Sequence, residues 1–427
     1  MSISILSRML AAFAALILVS ATVAATQPAS PRGNVVTRWN AVALETLPVD
    51  PGLLVDSRAF AIFHAAIHDA VNGVRPRYQP YTAQLSAPGA SVDAAVAAAA
   101  RGVLVALSPS QQVKVEIAYA AALLGVPEGP AKQAGIELGK HSAAANLTRR
   151  IGDGADTSTG PAYVPNGNPG DYDFTPPFDV PPLGPGALFP AWGKVTPFAI
   201  DLSQHQLAGP QALTSAAYAQ DVNYLKSIGR HDSRTRTDEQ TDIAMFWFEF
   251  SPLGWNRIAN TILVQERADV WRSARIFALV NFALADGYIA GFEAKYRFRF
   301  WRPYTAIRKA DSDGNDQTRA DPSWMPLSAP AFFTPPVPDY PSTHTVLGAA
   351  AGEVLIQHFG DDVSFDVIST TLPGVTRQFD SITAAAWENG MSRVYGGIHF
   401  GHAVRDGFRL GKGIGREVTR MLPRLED

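Results

Sequence analysis

Apolar residues recur at three- and four-residue intervals along most of this chain, and no pair of alternating runs joined by a tight hairpin turn competes with them. A 3.6-residue period gathers those side chains onto one face of a helix. The expected fold is therefore all-α, stabilised by packing helix on helix. Capping residues and breakers place candidate helices at 57–73, 91–106, 110–124, 131–150, 214–227, 237–247, 255–271, 274–296, 345–359, 381–394 and 400–421. A chain of 427 residues with 46% hydrophobic content can bury a sizeable core, as one large domain or two bundles.

Between Gly152 and Pro197 the periodicity lapses into a stretch rich in Gly, Pro, Asp and aromatic residues, including Asn166-Gly-Asn-Pro-Gly-Asp171. A segment that long is usually functional or a connector. The expected organisation is an N-terminal helical bundle over 26–150, a connector over 151–197 and a second bundle over 198–427. Residues 1–25 read as an export signal: Arg8, an apolar run from Met9 to Val23, then small residues at Val23-Ala24-Ala25. The apolar run falls short of a spanning length. The expected location is secreted or periplasmic, with no membrane-spanning segment after signal removal. A formal charge of −3 gives no electrostatic reason to expect nucleic acid or an anionic membrane as a partner, and the absence of cysteine excludes a disulfide framework. Nothing in the chain argues against a homo-oligomer.

Three segments carry chemistry. They are Lys295-Tyr-Arg-Phe-Arg-Phe-Trp-Arg302-Pro303, Pro341-Ser342-Thr343-His344 and Ser392-Arg393-Val-Tyr-Gly-Gly-Ile-His399. Together they supply three fixed cations, a hydroxyl and two imidazoles, the set that a multiply charged tetrahedral oxyanion requires. Lys295 and Arg302, seven residues apart, would share one side of a continuous helix. Ser342 stands just before an apolar run, where a helix N-terminus favours an anion. Gly396-Gly397 would present His399 from a turn.

In order and spacing these segments resemble the pattern shared by vanadium-dependent haloperoxidases and the type 2 phosphatidic acid phosphatase superfamily. Looser similarity to soluble bacterial haloperoxidase-like proteins extends through Trp192–Phe198 to His64–Ala70. The resemblance implies two packed helical bundles with the site in the second. It implies vanadate held by Lys295, Arg302, Ser342, Arg393 and the backbone at Thr343, with His399 Nε2 bound to the metal. Phosphate would fit the same cradle. Hydrogen peroxide and a halide would be the reactants, Lys295 polarising the peroxide and His344 acting as acid and base. The alternative implied activity is a soluble acid phosphatase acting on a phosphate ester, with His399 as nucleophile and His344 protonating the leaving alcohol. A non-catalytic oxyanion-binding protein is a third reading.

The chain departs from the shared pattern twice. Thr343 replaces a glycine, and Ala403 stands where the superfamily places an aspartate beside the histidine. Asp406, on the same helical face as His399, is the candidate substitute. Phe298, Phe300 and Trp301 suit either an aromatic wall for a weakly hydrated halide or ordinary core. Arg297, Arg299 and Lys309 read as a solvated face. His64 and His68 read as core residues rather than a metal pair, and His402 could reach the site. Asp286, on an apolar helix, needs a partner, either Arg302, Arg393 or a structural ion pair.

Overall fold

The computed structural model describes residues 33–49, 53–82, 84–327 and 333–425, so the export signal expected at 1–25 lies outside them. Thirteen α-helices form among the described residues. They are α1 (Val35–Thr46), α2 (Leu53–Val74), α3 (Val92–Leu107), α4 (Gln112–Leu124), α5 (Pro130–Arg149), α6 (Ala216–Ile228), α7 (Asp238–Phe246), α8 (Ser251–Gln265), α9 (Val270–Phe298), α10 (Pro303–Arg308), α11 (Thr343–Phe359), α12 (Ile382–Tyr395) and α13 (Gly401–Thr419). The fold is all-α, as expected. One small antiparallel pair, β1 (Phe365–Ile368) and β2 (Thr376–Phe379), escaped the sequence reading because its strands are short and its connection is not a tight turn.

Local chemistry sets the helix ends. Asn34, Ser91, Asp269 and Ser381 accept first-turn N–H groups of α1, α3, α9 and α12, and Thr237 closes a capping box with Gln240 on α7. Asp269 also explains a boundary the periodicity obscured: the run read as one helix to Trp271 ends at Gln265, and α9 starts afresh at Val270. Helices α1 and α10 were likewise not expected.

Helix α9 is the hub. It packs against α2 on one side and α11 on another, and a single apolar cluster runs from Val35 through α2, α3 and α9 to Leu422. By length and composition α9 could cross a membrane, but 94% of its apolar window is buried within the molecule. Several polar side chains inside this core are paired. Asn256 on α8 and Asn281 on α9 exchange amide hydrogen bonds of 2.9 Å, and His64 Nε2 lies 3.1 Å from Asn40 Oδ1. His64 and His68 are core residues, as read. Asp286 takes neither arginine suggested by the sequence. Its carboxylate accepts the backbone N–H groups of Phe198, Ala199 and Ile200 at 2.7, 2.8 and 3.1 Å, tying this stretch of backbone to α9. Burial pushes its pKa up to about 7, against those three donors.

Helices α11 and α13 pack closely through small residues. Gly407, Gly411 and Gly415, one per turn of α13, face the carbonyl oxygens of Ser342, Val346 and Ala350 on the neighbouring chain segment. A Cβ at Gly411 would stand 2.2 Å from the Val346 oxygen. Replacing Gly411 by Ala is therefore expected to force the two helices apart and cost about 1–3 kcal/mol, read as a lower urea midpoint at unchanged slope.

Candidate functional site

Helix α9 does not run on to Arg302, as a shared helical face would need. It stops at Phe298, Arg299 adopts φ 54° as its left-handed cap, and Arg302 becomes the N-cap of α10 ahead of Pro303. The two cations nevertheless converge, because both bind the carbonyls of one turn spanning 335–341. Lys295 Nζ donates to Pro338, Asp339 and Pro341 oxygens at 2.7, 2.8 and 2.7 Å. Arg302 donates from Nε to Val337 O at 2.7 Å, from Nη2 to Pro335 O at 3.2 Å and from Nη1 to Ile398 O at 2.7 Å.

Burial first, and then Arg302, pulls the Lys295 pKa well below its ordinary value. Three acceptor carbonyls within 2.8 Å oppose that pull. A neutral amine would turn a lone pair toward one of them, so the geometry matches the ammonium. All three Lys295 donors are thus engaged, and direct contact with an anion requires that it release one carbonyl.

Ser342 is the N-cap of α11, as its place in the sequence implied, but its side chain does not cap the helix. Its hydroxyl accepts from Thr345 Oγ1 at 2.8 Å, leaving the first-turn N–H groups without a side-chain cap. Thr343 begins the helix and takes ordinary helical geometry, so the β-branched residue is accommodated where the superfamily pattern has glycine. Its Oγ1 is buried without a hydrogen-bond partner.

His344 has both ring nitrogens engaged. Nε2 lies 2.7 Å from Trp247 O, which can only accept, so Nε2 carries the proton. Nδ1, 2.9 Å from Ser251 Oγ, then accepts from the serine hydroxyl. Burial, reinforced by Arg393, holds this imidazole neutral, well below its usual pKa. The Trp247 carbonyl also accepts from Arg393 Nη1 at 2.9 Å, joining the second and third segments.

His399 leaves α12 through Gly396-Gly397. Gly397 has φ 75°, and a Cβ there would meet Gly229 O at 2.3 Å, so the two glycines permit close approach to another backbone stretch. The His399 N–H lies 3.3 Å from Arg393 O. Its Nδ1 stands 2.9 Å from Asp339 Oδ1, and Arg302 Nη1 lies 3.0 Å from Nε2. Burial and then Arg302 depress its pKa well below the ordinary value, so the ring is neutral. Asp339 is fully buried and its pKa is pushed up to about 6 by desolvation, with Arg302 and Lys295 opposing.

The structure thus brings together Lys295, Arg302, Ser342, Thr343, His344, Arg393 and His399, and it adds Asp339, Trp247 and Ser251. Asp339 stands two residues before the Pro341-Ser342-Thr343-His344 segment and is not among the residues the motif pattern singles out. Asp406 does not approach His399: it accepts from Tyr340 Oη at 2.9 Å and lies 3.3 Å from Arg409. His402 pairs through Nδ1 with Asp221 at 2.9 Å rather than joining the three motif segments. Phe300 and Trp301 belong to a buried apolar cluster, which resolves their role as core. Arg297, Arg299 and Lys309 pair with Glu293, Asp171 and Asp173 toward the surface.

Among the described residues three buried cations face a single buried carboxylate here: Lys295, Arg302 and Arg393 are 1%, 0% and 4% exposed, and Asp339 is 0% exposed. Unbalanced positive charge of this kind suits a polyanion. With two imidazoles and an uncapped helix N-terminus, the donor set fits a tetrahedral oxyanion such as vanadate or phosphate.

Comparison with known proteins agrees with this geometry. Residues 275–426 match the family described as the VCPO second helical-bundle domain. Over 491 residues, 88% of this chain and 80% of the relative, the chain is 27% identical to the vanadium chloroperoxidase of Curvularia inaequalis. The crystal structure of a bacterial vanadium-dependent iodoperoxidase superposes with a TM-score of 0.76 at 25% identity, covering 92% of this chain and 96% of that one. A holo-type bacterial vanadium-dependent chloroperoxidase shares the fold with a TM-score of 0.69 at 18% identity, over 86% and 91% of the two chains.

The role of Arg302 is open to a direct test. Lysine cannot reproduce its fork, which serves three carbonyls and His399 at once. Arg302→Lys is expected to weaken inorganic phosphate binding at least about tenfold by isothermal titration, a loss of about 1.4 kcal/mol.

Proposed function

Since the chain belongs to the superfamily of vanadium haloperoxidases and type 2 phosphatidic acid phosphatases, we propose that it is a vanadate-dependent haloperoxidase that oxidises halide with hydrogen peroxide. The observation that carries this reading is the excess of buried cationic charge around a neutral His399 whose Nε2 faces the same space as Arg302. The likeness to vanadium enzymes at 25–27% identity supports the choice of oxyanion.

Lys295, Arg302 and Arg393 would offset the charge of the bound oxyanion, and Ser342 with the first N–H groups of α11 would bind its oxygens. His399, protonated on Nδ1 toward Asp339, would present the Nε2 lone pair as ligand. Vanadate in this cradle supplies a Lewis-acid centre at which hydrogen peroxide becomes electrophilic toward halide. His344 would hold or release a proton at Nε2, where Trp247 O now accepts it, while Ser251 fixes the ring through Nδ1. Burial keeps water from competing for these donors.

The apolar run from Met9 to Val23 supports export of the chain. Recovery of the protein from a secreted or periplasmic fraction, with a new N-terminus after Ala24 or Ala25, would verify it.

The activity is tested on protein stripped of phosphate, with and without added orthovanadate. Halide-dependent peroxide consumption, with iodide, bromide and chloride, is assayed beside p-nitrophenyl phosphate hydrolysis. The expected outcome is halide oxidation only with vanadate, lost in His399→Ala by at least about a hundredfold. Ester hydrolysis without peroxide, inhibited by vanadate, would replace this reading with the acid phosphatase. Tight phosphate or vanadate binding with neither turnover would leave a non-catalytic oxyanion-binding protein.

A further inference from the structure

We propose that Asp339 is the positioning residue for His399, accepting its Nδ1–H and so reserving Nε2 for the bound oxyanion. The superfamily pattern places a carboxylate four residues after the histidine, and this chain has Ala403 there, fully buried and without an acceptor. The structure supplies the acceptor from the opposite direction, in the turn that precedes the Ser342-Thr343-His344 segment. The proposal rests on the reading of His399 as the oxyanion-binding imidazole.

Three observations converge on Asp339. Its Oδ1 lies 2.9 Å from His399 Nδ1, with both groups buried. Neither of its oxygens has an aligned hydrogen bond, and the other donors that face the carboxylate are the Phe400 N–H and Arg302 Nη1, the latter 3.8 Å from Oδ1 and farther than the ring nitrogen. A modest turn of the imidazole, now also in contact with Arg302 Nη1 at 3.0 and 3.4 Å, would align Nδ1–H with the carboxylate. An oxyanion that draws Arg302 away from the ring favours that turn.

The backbone that carries Asp339 is fixed independently of its side chain. Its N–H donates to Phe300 O at 2.8 Å and its carbonyl accepts from Lys295 Nζ at 2.8 Å. Lys295 and Arg302 together hold four further carbonyls of the same turn, those of Pro335, Val337, Pro338 and Pro341. The two cations therefore have a second task besides facing an anion: they deliver the carboxylate. Among the described residues no competing carboxylate pairs with the ring: Asp406 is engaged by Tyr340 and Asp221 by His402.

A neutral imidazole has one N–H, and a carboxylate at Nδ1 decides where it sits. With Nδ1 protonated, Nε2 is a bare lone pair, as a metal ligand or a nucleophile requires. Without the carboxylate the two tautomers compete, and the fraction able to bind through Nε2 falls.

The test reads the tautomer and the affinity separately from turnover. In the full chain labelled with ¹⁵N-histidine, the His399 resonances, assigned by their loss in His399→Gln, are expected to show protonated Nδ1 and unprotonated Nε2. The opposite pattern in the wild-type protein would overturn the proposal, whether or not any variant folds. Asp339→Asn is expected to mix the tautomers and raise the orthovanadate dissociation constant about 10- to 100-fold by equilibrium dialysis. An unchanged tautomer and affinity in a folded Asp339→Asn protein would also overturn it. If the wild type binds neither orthovanadate nor phosphate, the functional reading fails instead, and the ¹⁵N pattern still decides the role of Asp339.

Discussion

The site depends on two buried cations bound to the carbonyl oxygens of one turn. Lys295 and Arg302 come from the end of α9 and the start of α10, and between them they hold Pro335, Val337, Pro338, Asp339 and Pro341. An ammonium or guanidinium withdrawn from water is costly unless its donors are met, and peptide carbonyls meet them here without cancelling the charge. The turn is thereby fixed, the following helix α11 starts at a defined point, and the positive potential survives for a ligand. A carboxylate partner for each cation would have been the commoner solution, and it would have abolished that potential.

Helix packing fixes the remaining half. His399 lies just before α13, and the Ser342-Thr343-His344 segment opens α11. The glycine stripe of α13 lets its backbone lie directly on α11, and Ser342 N–H donates to Ala403 O at 3.0 Å across the contact. Small residues on one helix thus set the spacing between imidazole and helix N-terminus, far more rigidly than loop side chains could.

Much of this was legible in the sequence. Helical periodicity gave the fold class, because a 3.6-residue apolar repeat has few other ways to bury itself. The three motif segments named Lys295, Arg302, Ser342, Thr343, His344, Arg393 and His399, and folding brings all seven together. What failed was geometry that spacing does not encode. A seven-residue interval looked like two helical turns, yet Arg299 reverses the chain at φ 54° and the two cations meet through the downstream turn at 335–341. Asp406 fitted the helical period from His399 but faces Tyr340. Asp339 was invisible as a partner because its link to His399 joins residues from separate segments, and a sequence reports neighbours along the chain only. Asp286 was read as a charge seeking a cation, whereas the backbone N–H groups of Phe198, Ala199 and Ile200 satisfy it.

Burial explains why these particular groups depart from their ordinary ionisation. Burial disfavours every charged form, so His344 and His399 stay neutral and the Asp339 pKa rises to about 6. The cations cannot follow, because guanidinium holds its proton and Lys295 has three acceptors that demand one. The result is a buried cluster in which, among the described residues, the anions are too few for the cations. Under the proposed reading an incoming oxyanion would supply the counter-charge that the fold omits, and His399, kept neutral by the same burial, would offer it the Nε2 lone pair.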